Sequence, residues 1–389
     1  MGYNITASVR LFEISTMVVK ERDLVIKMKI MHIVGNRPQF IKLASISREI
    51  RKIGWQEVIV HTGQHYDENM SNIFFKELDI PQPKVNLNVR SGTHTQVIAT
   101  IMVGLEKVVI NEQPDGVIIY GDTNSTLAAA IVVSKLNIPL FHVEAGPRTY
   151  NKKNPEEQNR IVADHLSDYL FVPDQISADN LKKEGIPSKQ IVFSGDVMYD
   201  QFLYSTTHST ESCINDYLDQ FILMTWHRQE NTCSKNRMTR MLSFIEKIKY
   251  KIVLPIHPRT KKCLIEYGLW QRVKSNENLI VINPVGYQEM TVLLDRCCLL
   301  ISDSGGASKE ASFAGKKCFF PLELAVWPKL IEDGYISIVN IEDDKSVQES
   351  IKAIEEIICT NKRLSKTDCF GNGNAAKYIV ATIEKTIRL

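Results

Sequence analysis

Carboxylates directly follow two apolar runs of this chain, a position typical of catalytic side chains. Asp122 follows the run 116–120, and Glu144 follows the run 139–143. A glutamate at the end of a buried strand is hard to explain by packing, because burying a carboxylate costs several kcal/mol unless it is paired. Asp122 could instead be the N-cap of a helix over 124–135, since Asp is a favoured cap. Together the two side chains are suited to general acid–base chemistry.

Other acids and imidazoles occupy comparable positions. Glu156 belongs to the motif Pro155-Glu156-Glu157, which opens a predicted helix. An acid there could equally stabilise the positive end of the helix dipole. His227 and His257 each follow an apolar run in the second half of the chain. One such histidine would more often be structural, but two in equivalent positions favour proton transfer or anion binding.

The turn after the first apolar run has the composition of an anion-binding loop. It reads Gly35-Asn36-Arg37-Pro38, and Lys42 follows one turn into the predicted helix. Proline suits the first helical turn, whose backbone N–H groups then face the cleft together with Arg37. The alternative is an ordinary turn with a surface arginine.

A second loop of this kind follows the run 299–302. It contains Ser304, Gly305 and Gly306, and adjacent glycines let the backbone approach a diphosphate closely. Glu310 lies further along the same predicted helix, where an acid could accept hydrogen bonds from ribose hydroxyls.

Neither the Gly-x-Gly-x-x-Gly nor the Gly-x-x-x-x-Gly-Lys motif follows a predicted strand. Their absence argues against nicotinamide-dependent hydride transfer and against nucleoside triphosphate hydrolysis. We therefore expect chemistry by side chains alone, with no cofactor and no metal.

Alternating strands and helices must position these residues. Short apolar runs alternate with helical patterns, which predicts an α/β fold with parallel sheets. Predicted strands of the first series are 29–34, 57–62, 116–120, 139–143, 169–172 and 191–194, with helices at 38–52, 94–111, 124–135, 155–167 and 176–184. The second series has strands at 221–224, 251–254, 279–282, 299–302 and 318–320.

The pattern lapses into weakly periodic, Ser/Thr-rich sequence between about Asp200 and Gln220, which predicts a domain boundary. The predicted divisions are an N-terminal extension (1–27), a first Rossmann-like domain (28–200) joined by a C-terminal helix (374–389), and a second Rossmann-like domain (201–373). Ligands of such domains bind at the carboxyl ends of the strands.

Composition excludes several classes of protein. The 389 residues carry 47 basic and 45 acidic side chains, which gives a net charge of +2. A dedicated nucleic-acid binder would need an uncompensated excess of Lys and Arg to neutralise phosphates. No apolar stretch is long enough to span a membrane. The eight cysteines show no metal-ligand spacing, and no signal peptide is recognisable, so we expect a cytoplasmic protein with reduced thiols.

As a set, these motifs closely resemble the non-hydrolysing UDP-N-acetylglucosamine 2-epimerases. The matching segments occur in order and are Gly35–Lys42, Gly121–Thr123, His142–Arg148, Pro155–Glu157, His227–Arg228, His257–Pro258 and Asp303–Gly306. The resemblance implies a glycosyltransferase-B-like fold, with two Rossmann-like domains facing across a cleft and a C-terminal helix that crosses back to the first. It also implies a homodimer that supplies a polysaccharide precursor from a UDP-sugar.

The resemblance further implies epimerisation at C2 through elimination of UDP and its re-addition to an enzyme-held 2-acetamidoglucal. Carried over by position, Asp122, Glu144 and Glu156 are the catalytic acids, with Asp122 and Glu144 as the C2 acid–base pair, and His227 lies near the departing phosphate. The residues implied to bind substrate are Arg37, Lys42, His257, Ser304, Gly305, Gly306 and Glu310.

The substrate stays open, because Gly195–Asp200 and Gln64–Asp67 look similar to relatives that act on UDP-2,3-diacetamido-glucuronate. Three segments also depart from the family pattern. Where relatives often carry Arg-Asp-x-Thr-Glu, residues 321–327 read Pro-Leu-Glu-Leu-Ala-Val-Trp, and Pro147 stands where Leu is common. Residues 64–66 read Gln-His-Tyr in place of the Gln-His-Arg typical of substrate-activated members. The close alternative substrate is UDP-2,3-diacetamido-2,3-dideoxy-glucuronate, and the lesser alternatives are a glycosyltransferase and a non-catalytic sugar-nucleotide-binding protein.

Overall fold

The computed structural model describes residues 27–63, 74–89, 92–208, 220–323, 327–361 and 363–388. These residues form two parallel sheets with helices packed on both faces of each. No helix among them is both long enough and apolar enough to cross a membrane.

The first sheet has seven strands in the order β3-β2-β1-β4-β5-β6-β7. In chain order these are β1 (Lys29–Val34), β2 (Gln56–His61), β3 (Val85–Asn86), β4 (Gly116–Tyr120), β5 (Leu140–Val143), β6 (Tyr169–Val172) and β7 (Ile191–Phe193). Its helices are α1 (Arg37–Lys52), α2 (His94–Glu112), α3 (Asn124–Lys135), α4 (Pro155–Leu166), α5 (Gln175–Lys183) and α6 (Val197–His208). β4 is buried along its whole length, as expected of a parallel strand covered on both faces.

The second sheet has six strands in the order β10-β9-β8-β11-β12-β13. They are β8 (Ile222–Thr225), β9 (Ile252–Pro255), β10 (Leu279–Ile282), β11 (Leu299–Ser302), β12 (Cys318–Phe320) and β13 (Ile336–Ile338). The accompanying helices are α7 (Gln229–Thr232), α8 (Lys235–Glu246), α9 (Pro258–Glu266), α10 (Trp270–Ser275), α11 (Tyr287–Arg296), α12 (Gly305–Phe313), α13 (Pro328–Glu332) and α14 (Asp344–Thr360).

Aromatic side chains join the two domains in one apolar cluster. Phe313 at the end of α12 stacks on Tyr199 of α6, with ring centroids 4.8 Å apart, and also contacts Phe202 of α6. All three rings are buried, so the two domains pack together here through an apolar contact.

The last helix, α15 (Ala375–Ile387), returns to the first domain and packs on α1 and α6. Its first two N–H groups, from Ala375 and Ala376, donate to the carboxylate of Asp200 at 3.1 and 2.8 Å. Asp200 therefore caps a helix that is distant in sequence. The predicted fold class is confirmed, including the C-terminal helix that crosses back.

The buried carboxylate of Asp200 should make the free energy of unfolding depend on pH. Burial raises the pKa of Asp200 to about 6, above the value of about 3.9 expected in an unfolded chain. A raised carboxyl pKa contributes stability that is present below pH 4 and is lost as the pH rises through 6. The variant Asp200→Asn does not titrate, so we expect it to gain about 2 kcal/mol relative to wild type between pH 4 and pH 7.

Urea unfolding at several pH values measures this difference. The matched control is Asp343→Asn, because Asp343 caps α14 in the same way at the exposed surface. An equal pH-dependent change in both variants would contradict the prediction.

Three element predictions need correction. Strands β3 and β13 were not expected, because both are edge strands of only two and three residues and give no apolar periodicity. The predicted weakly periodic stretch after Asp200 is wrong up to His208, because these residues belong to α6. Gln201 and Ser205 lie on the buried face of α6 and hydrogen bond to each other. Because these buried residues are polar, the sequence lacks the apolar periodicity of a helix there.

The predicted division into domains stays a prediction. Residues 1–26 of the predicted extension and residues 209–219 near the predicted boundary lie outside the described residues. The same holds for residues 64–67, where the sequence departs from substrate-activated relatives, and for residues 324–326 of the altered segment.

Candidate active site

The strand order of each sheet places the candidate site at two topological switch points. The order in which strands are added reverses between β1 and β4 in the first sheet, and between β8 and β11 in the second. Crevices at such points bind ligands in open α/β sheets. Arg37 and Asp122 follow β1 and β4, while His227 and Ser304 follow β8 and β11. The predicted residues therefore lie at the switch points of both sheets.

Glu144 lies at the junction of the two domains, with a lysine on each of its oxygens. Lys42 Nζ of α1 is 2.6 Å from Oε1, and Lys309 Nζ of α12 is 3.1 Å from Oε2. The ammonium of Lys309 also binds the carboxylate of Asp196, which precedes α6, at 2.5 Å. The four side chains form an alternating row of charges, hereafter the Glu144 cluster.

The Glu144 cluster fixes Glu144 as a carboxylate. Burial alone would raise its pKa, but Lys309 and Lys42 outweigh burial and hold the pKa well below the usual range. Glu144 also has a φ of 64°, a left-handed conformation that costs a glutamate about 1 kcal/mol or more. Such strain at a non-glycine residue is characteristic of functional sites.

Gly121 is the turn residue that keeps Lys42 and Glu144 close to Asp122. Its φ is 61°, and a Cβ there would lie 3.0 Å from Lys42 Nζ. The register pairs Tyr120 with Val143, so Asp122 and Glu144 emerge one residue out of step from neighbouring strands. The structure thus brings both predicted acids to one edge of the sheet.

Arg160 of α4 forms an ion pair with Asp122 and lies 3.2 Å from Glu157. Glu157 is buried and accepts the backbone N–H groups of Thr149 and Tyr150. The side chain of the neighbouring Glu156 is exposed and makes no hydrogen bond or ion pair with another described residue. Of the two adjacent acids, the structure places Glu157, and not Glu156, in contact with the residues around Asp122.

A buried network behind the two acids holds their loops. His142 lies with Nδ1 2.7 Å from Asp164 Oδ1, and its Nε2 donates to the carbonyl oxygen of Gly121 at 2.8 Å. Asp164 also accepts the N–H of Gly146 and binds Arg148 Nη2 at 2.7 Å. One aspartate therefore connects the turn before Asp122 with the loop after Glu144.

His227 and His257 come together at the edge of the second sheet. Their ring centroids are 5.6 Å apart, and Nδ1 of His227 is 3.2 Å from the fully buried Asp303. Asp303 also accepts the backbone N–H groups of His227 and Arg228, which fixes the turn after β8. Burial and the neighbouring His227 lower the pKa of His257, favouring its neutral form.

The Ser304-Gly305-Gly306 turn begins α12 and faces the cleft. Ser304 is the N-cap, and its Oγ accepts the N–H of Ala307. A Cβ on Gly306 would have only one neighbour within 4 Å, Ser304 Oγ at 3.9 Å, so the space above this turn is open. Trp327, from the altered segment, donates its indole N–H to the carbonyl oxygen of Gly305 at 2.9 Å.

Glu310 follows Lys309 on α12 and is buried. Burial raises its pKa to about 7, although Tyr287, Lys309 and Arg37 act in the opposite direction. The hydroxyl of Tyr287 on α11 faces this carboxylate, and a hydrogen bond between the two groups is the main effect that lowers the pKa of Glu310 against burial.

Arg37 is the first residue of α1 and is exposed. Its guanidinium lies over the ring of Phe74, 4.8 Å from the ring centroid. Among the described residues, no group of three or more His, Cys, Asp or Glu side chains is arranged to hold a metal ion.

Sequence reasoning missed the residues that act through others. Lys309 and Arg160 contact the predicted residues Glu144 and Asp122. Asp196 and Asp164 act one step further away, on Lys309 and on His142. Of these four, Asp196 comes two residues after the predicted strand 191–194, just as Asp122 follows 116–120. A charged residue on the apolar face of a predicted helix was the signal for Asp164 and Lys309.

The chain matches known proteins over most of its length. A family model described as UDP-N-acetylglucosamine 2-epimerase matches residues 48–384. A UDP-N-acetylglucosamine 2-epimerase homolog of Methanococcus maripaludis is 42% identical, with 92% of this chain and 99% of that protein covered. The UDP-2,3-diacetamido-2,3-dideoxy-D-glucuronate 2-epimerase of Pseudomonas aeruginosa is 41% identical, with 92% and 100% covered.

A solved structure has the same fold. The crystal structure of Methanocaldococcus jannaschii UDP-GlcNAc 2-epimerase, in complex with UDP-GlcNAc and UDP, superposes with a TM-score of 0.81 and 38% identity. The match covers 92% of this chain and all of that one. The extent of these matches shows that the chain belongs to the UDP-N-acetylglucosamine 2-epimerase family and is a carbohydrate epimerase, an isomerase.

Proposed function

We propose that this protein interconverts UDP-N-acetylglucosamine and UDP-N-acetylmannosamine by inverting C2. The observation that carries the proposal is the Glu144 cluster, in which a lysine from each domain binds Glu144. Asp122 follows the neighbouring strand, and the Ser304-Gly305-Gly306 turn begins the helix that carries Lys309. Carboxylates, cations and a diphosphate-type turn are the three components that this reaction needs.

The chemistry of the sugar requires elimination. The neighbours of C2 are an acetal carbon and an amide nitrogen, so direct removal of its proton would leave an unstabilised carbanion. If UDP leaves C1 as the C2 proton is removed, the product is 2-acetamidoglucal, and no such carbanion forms. Re-addition of UDP with protonation on the other face then inverts C2. Retention of the intermediate needs a closed cleft.

Charged groups at the cleft take separate roles in this scheme. Asp122 and Glu144 act on the C2 proton, one on each face of the sugar, and Glu156 orients or protonates. Arg37, Lys42, His227, His257 and the Ser304-Gly305-Gly306 turn hold the diphosphate, where cations and helix N-termini stabilise the leaving negative charge. Glu310 accepts hydrogen bonds from the ribose.

A second candidate substrate is UDP-2,3-diacetamido-2,3-dideoxy-glucuronate, by the same mechanism. It is favoured by the relative of that name at 41% identity, close to the 39% of a UDP-N-acetylglucosamine 2-epimerase from Methanocaldococcus jannaschii. The altered residues 321–327, including Trp327 against the Gly305 carbonyl, provide a local difference through which the sugar preference could change.

Incubation of the purified protein with each UDP-sugar in deuterated water tests both proposals. We expect deuterium at C2 and formation of the C2 epimer, because the proton is lost to a solvent-exchanging carboxylate. The ratio of kcat/KM for the two sugars identifies the preferred substrate. Binding of UDP without exchange from either sugar would contradict an epimerase and support a non-catalytic binding protein. Sugar transfer to an added acceptor without C2 exchange would instead support a glycosyltransferase.

We also propose that the protein acts in the cytoplasm as a homodimer and supplies a polysaccharide precursor. The family relationship supports this proposal. Light scattering of the purified protein should give twice the chain mass of 44.3 kDa. A mass of one chain at micromolar concentration would contradict the dimer.

A further inference from the structure

The helices that begin at the two proposed diphosphate-binding turns have a common arrangement. α1 begins with Arg37 and presents Lys42 to Glu144, while α12 is capped by Ser304 and presents Lys309 to Glu144. In each helix the lysine lies about one and a half turns after the residue at the cleft. One carboxylate therefore receives an ammonium from each domain, and each ammonium binds a different oxygen.

Lys309 is almost completely buried at this junction, with a side chain 1% exposed. Its ammonium lies 4.4 Å from the centroid of the Trp327 ring and binds Asp196 as well as Glu144. A lysine is rarely buried to this degree without paired carboxylates. Both of its carboxylates belong to the first domain, so this side chain is satisfied only when the second domain is in place.

We propose that Lys309 is a positioning residue. Its ammonium binds Oε2 of Glu144, so the orientation of Glu144 depends on how α12 packs on the first domain. The inference rests on the proposed function, since it concerns a residue of the proposed C2 chemistry. A diphosphate at the start of α12 fixes the helix, and the helix in turn fixes Lys309. Glu144 is therefore oriented and kept ionised when the leaving group is bound.

The charges around Lys309 agree with this role. Burial opposes the ammonium, but Asp196 and Glu144 outweigh burial and raise the pKa of Lys309. The other charged groups that act on this pair are Lys42 from α1, Asp174 at the start of α5, and Glu310 on α12. Removal of Lys309 leaves Glu144 with Lys42 alone, so its pKa should rise.

The split between kcat and KM tests the proposal through Lys309→Met. We expect kcat to fall about tenfold, because Oε2 of Glu144 loses the ammonium that orients it. UDP affinity should change by less than about threefold. Lys309→Arg, which retains the charge, should restore kcat. If Lys309→Met folds poorly, the neutral pair Lys309→Met/Asp196→Asn provides the same test without a buried unpaired Asp196.

Lys316→Met is the matched control. Lys316 is also buried in the second domain, but its ammonium donates to the carbonyl oxygen of Cys297 at 2.6 Å. The same fall in kcat in Lys316→Met, or an unchanged kcat in Lys309→Met, would overturn the proposal.

A stability measurement separates this inference from the proposed function. In a double-mutant cycle of Lys309→Met and Glu144→Gln, urea unfolding should show a coupling of at least about tenfold in the unfolding equilibrium constant. The measurement needs no catalytic activity, so it stands even if neither sugar exchanges deuterium. Additive effects of the two substitutions would overturn the proposal.

Discussion

Asp122→Asn should lower kcat/KM for C2 epimerisation by about 10²–10⁴-fold, the usual contribution of a general acid or base. The substitution preserves the shape of the side chain and its position after β4, but it removes the group that accepts or returns the C2 proton. Asp122 is also the half-buried partner of Arg160, so the amide weakens this pairing as well. Deuterium incorporation at C2 and UDP affinity, measured in parallel, separate chemistry from binding.

The control for this variant is Asp115→Asn at the opposite end of β4. Asp115 is exposed, and its carboxylate accepts the N–H of Lys29 far from the candidate site. Activity of Asp122→Asn within about tenfold of wild type would contradict a role in proton transfer.

Asp164→Ala should have the largest effect on folding, a loss of about 3–5 kcal/mol, because it removes one of the two carboxylates that bind the buried Arg148 and leaves buried polar groups without their acceptor. Burial alone would raise the pKa of Asp164, but His142 and Arg148 lower it, so the carboxylate is ionised in the folded protein. Its removal also frees the N–H of Gly146 and the ring of His142. Urea unfolding monitored by far-ultraviolet circular dichroism measures the loss.

Asp179→Ala provides the comparison for Asp164→Ala. Asp179 pairs with Lys182 on α5, and both side chains are about half exposed, so its loss should leave the urea midpoint close to that of wild type. Equal destabilisation by the two substitutions would show that the buried network is not what holds the two acidic loops.

The fold was predictable because its strands are apolar and its helices have clear start signals. The run 116–120 reads Gly-Val-Ile-Ile-Tyr and is fully buried, as a central parallel strand should be. Thr123 caps α3 through its side chain, so that Asp122 was free for another role. In contrast, the two-residue β3 depends on pairing with β2 and cannot be recognised by periodicity.

The positions of Asp122, Glu144 and His227 were predictable, because each of these residues comes just after a predicted strand. The remaining residues depend on long-range geometry. Lys309 is 165 positions from Glu144, and no local pattern indicates which of 47 basic residues a carboxylate will meet. The adjacent acids Glu156 and Glu157 look equivalent in sequence, and only the rotation of α4 distinguishes the buried one from the exposed one.

The position of α15 affects how the chain folds during synthesis. α15 packs on α1 and α6, so the first domain lacks one of its covering helices until the entire second domain has been translated. At about 5–20 residues per second, the apolar surface beneath α15 stays uncovered for on the order of ten seconds or more. A nascent chain in this interval is a natural client for chaperones, and a ribosome that stalls within the second domain would leave the first one incomplete.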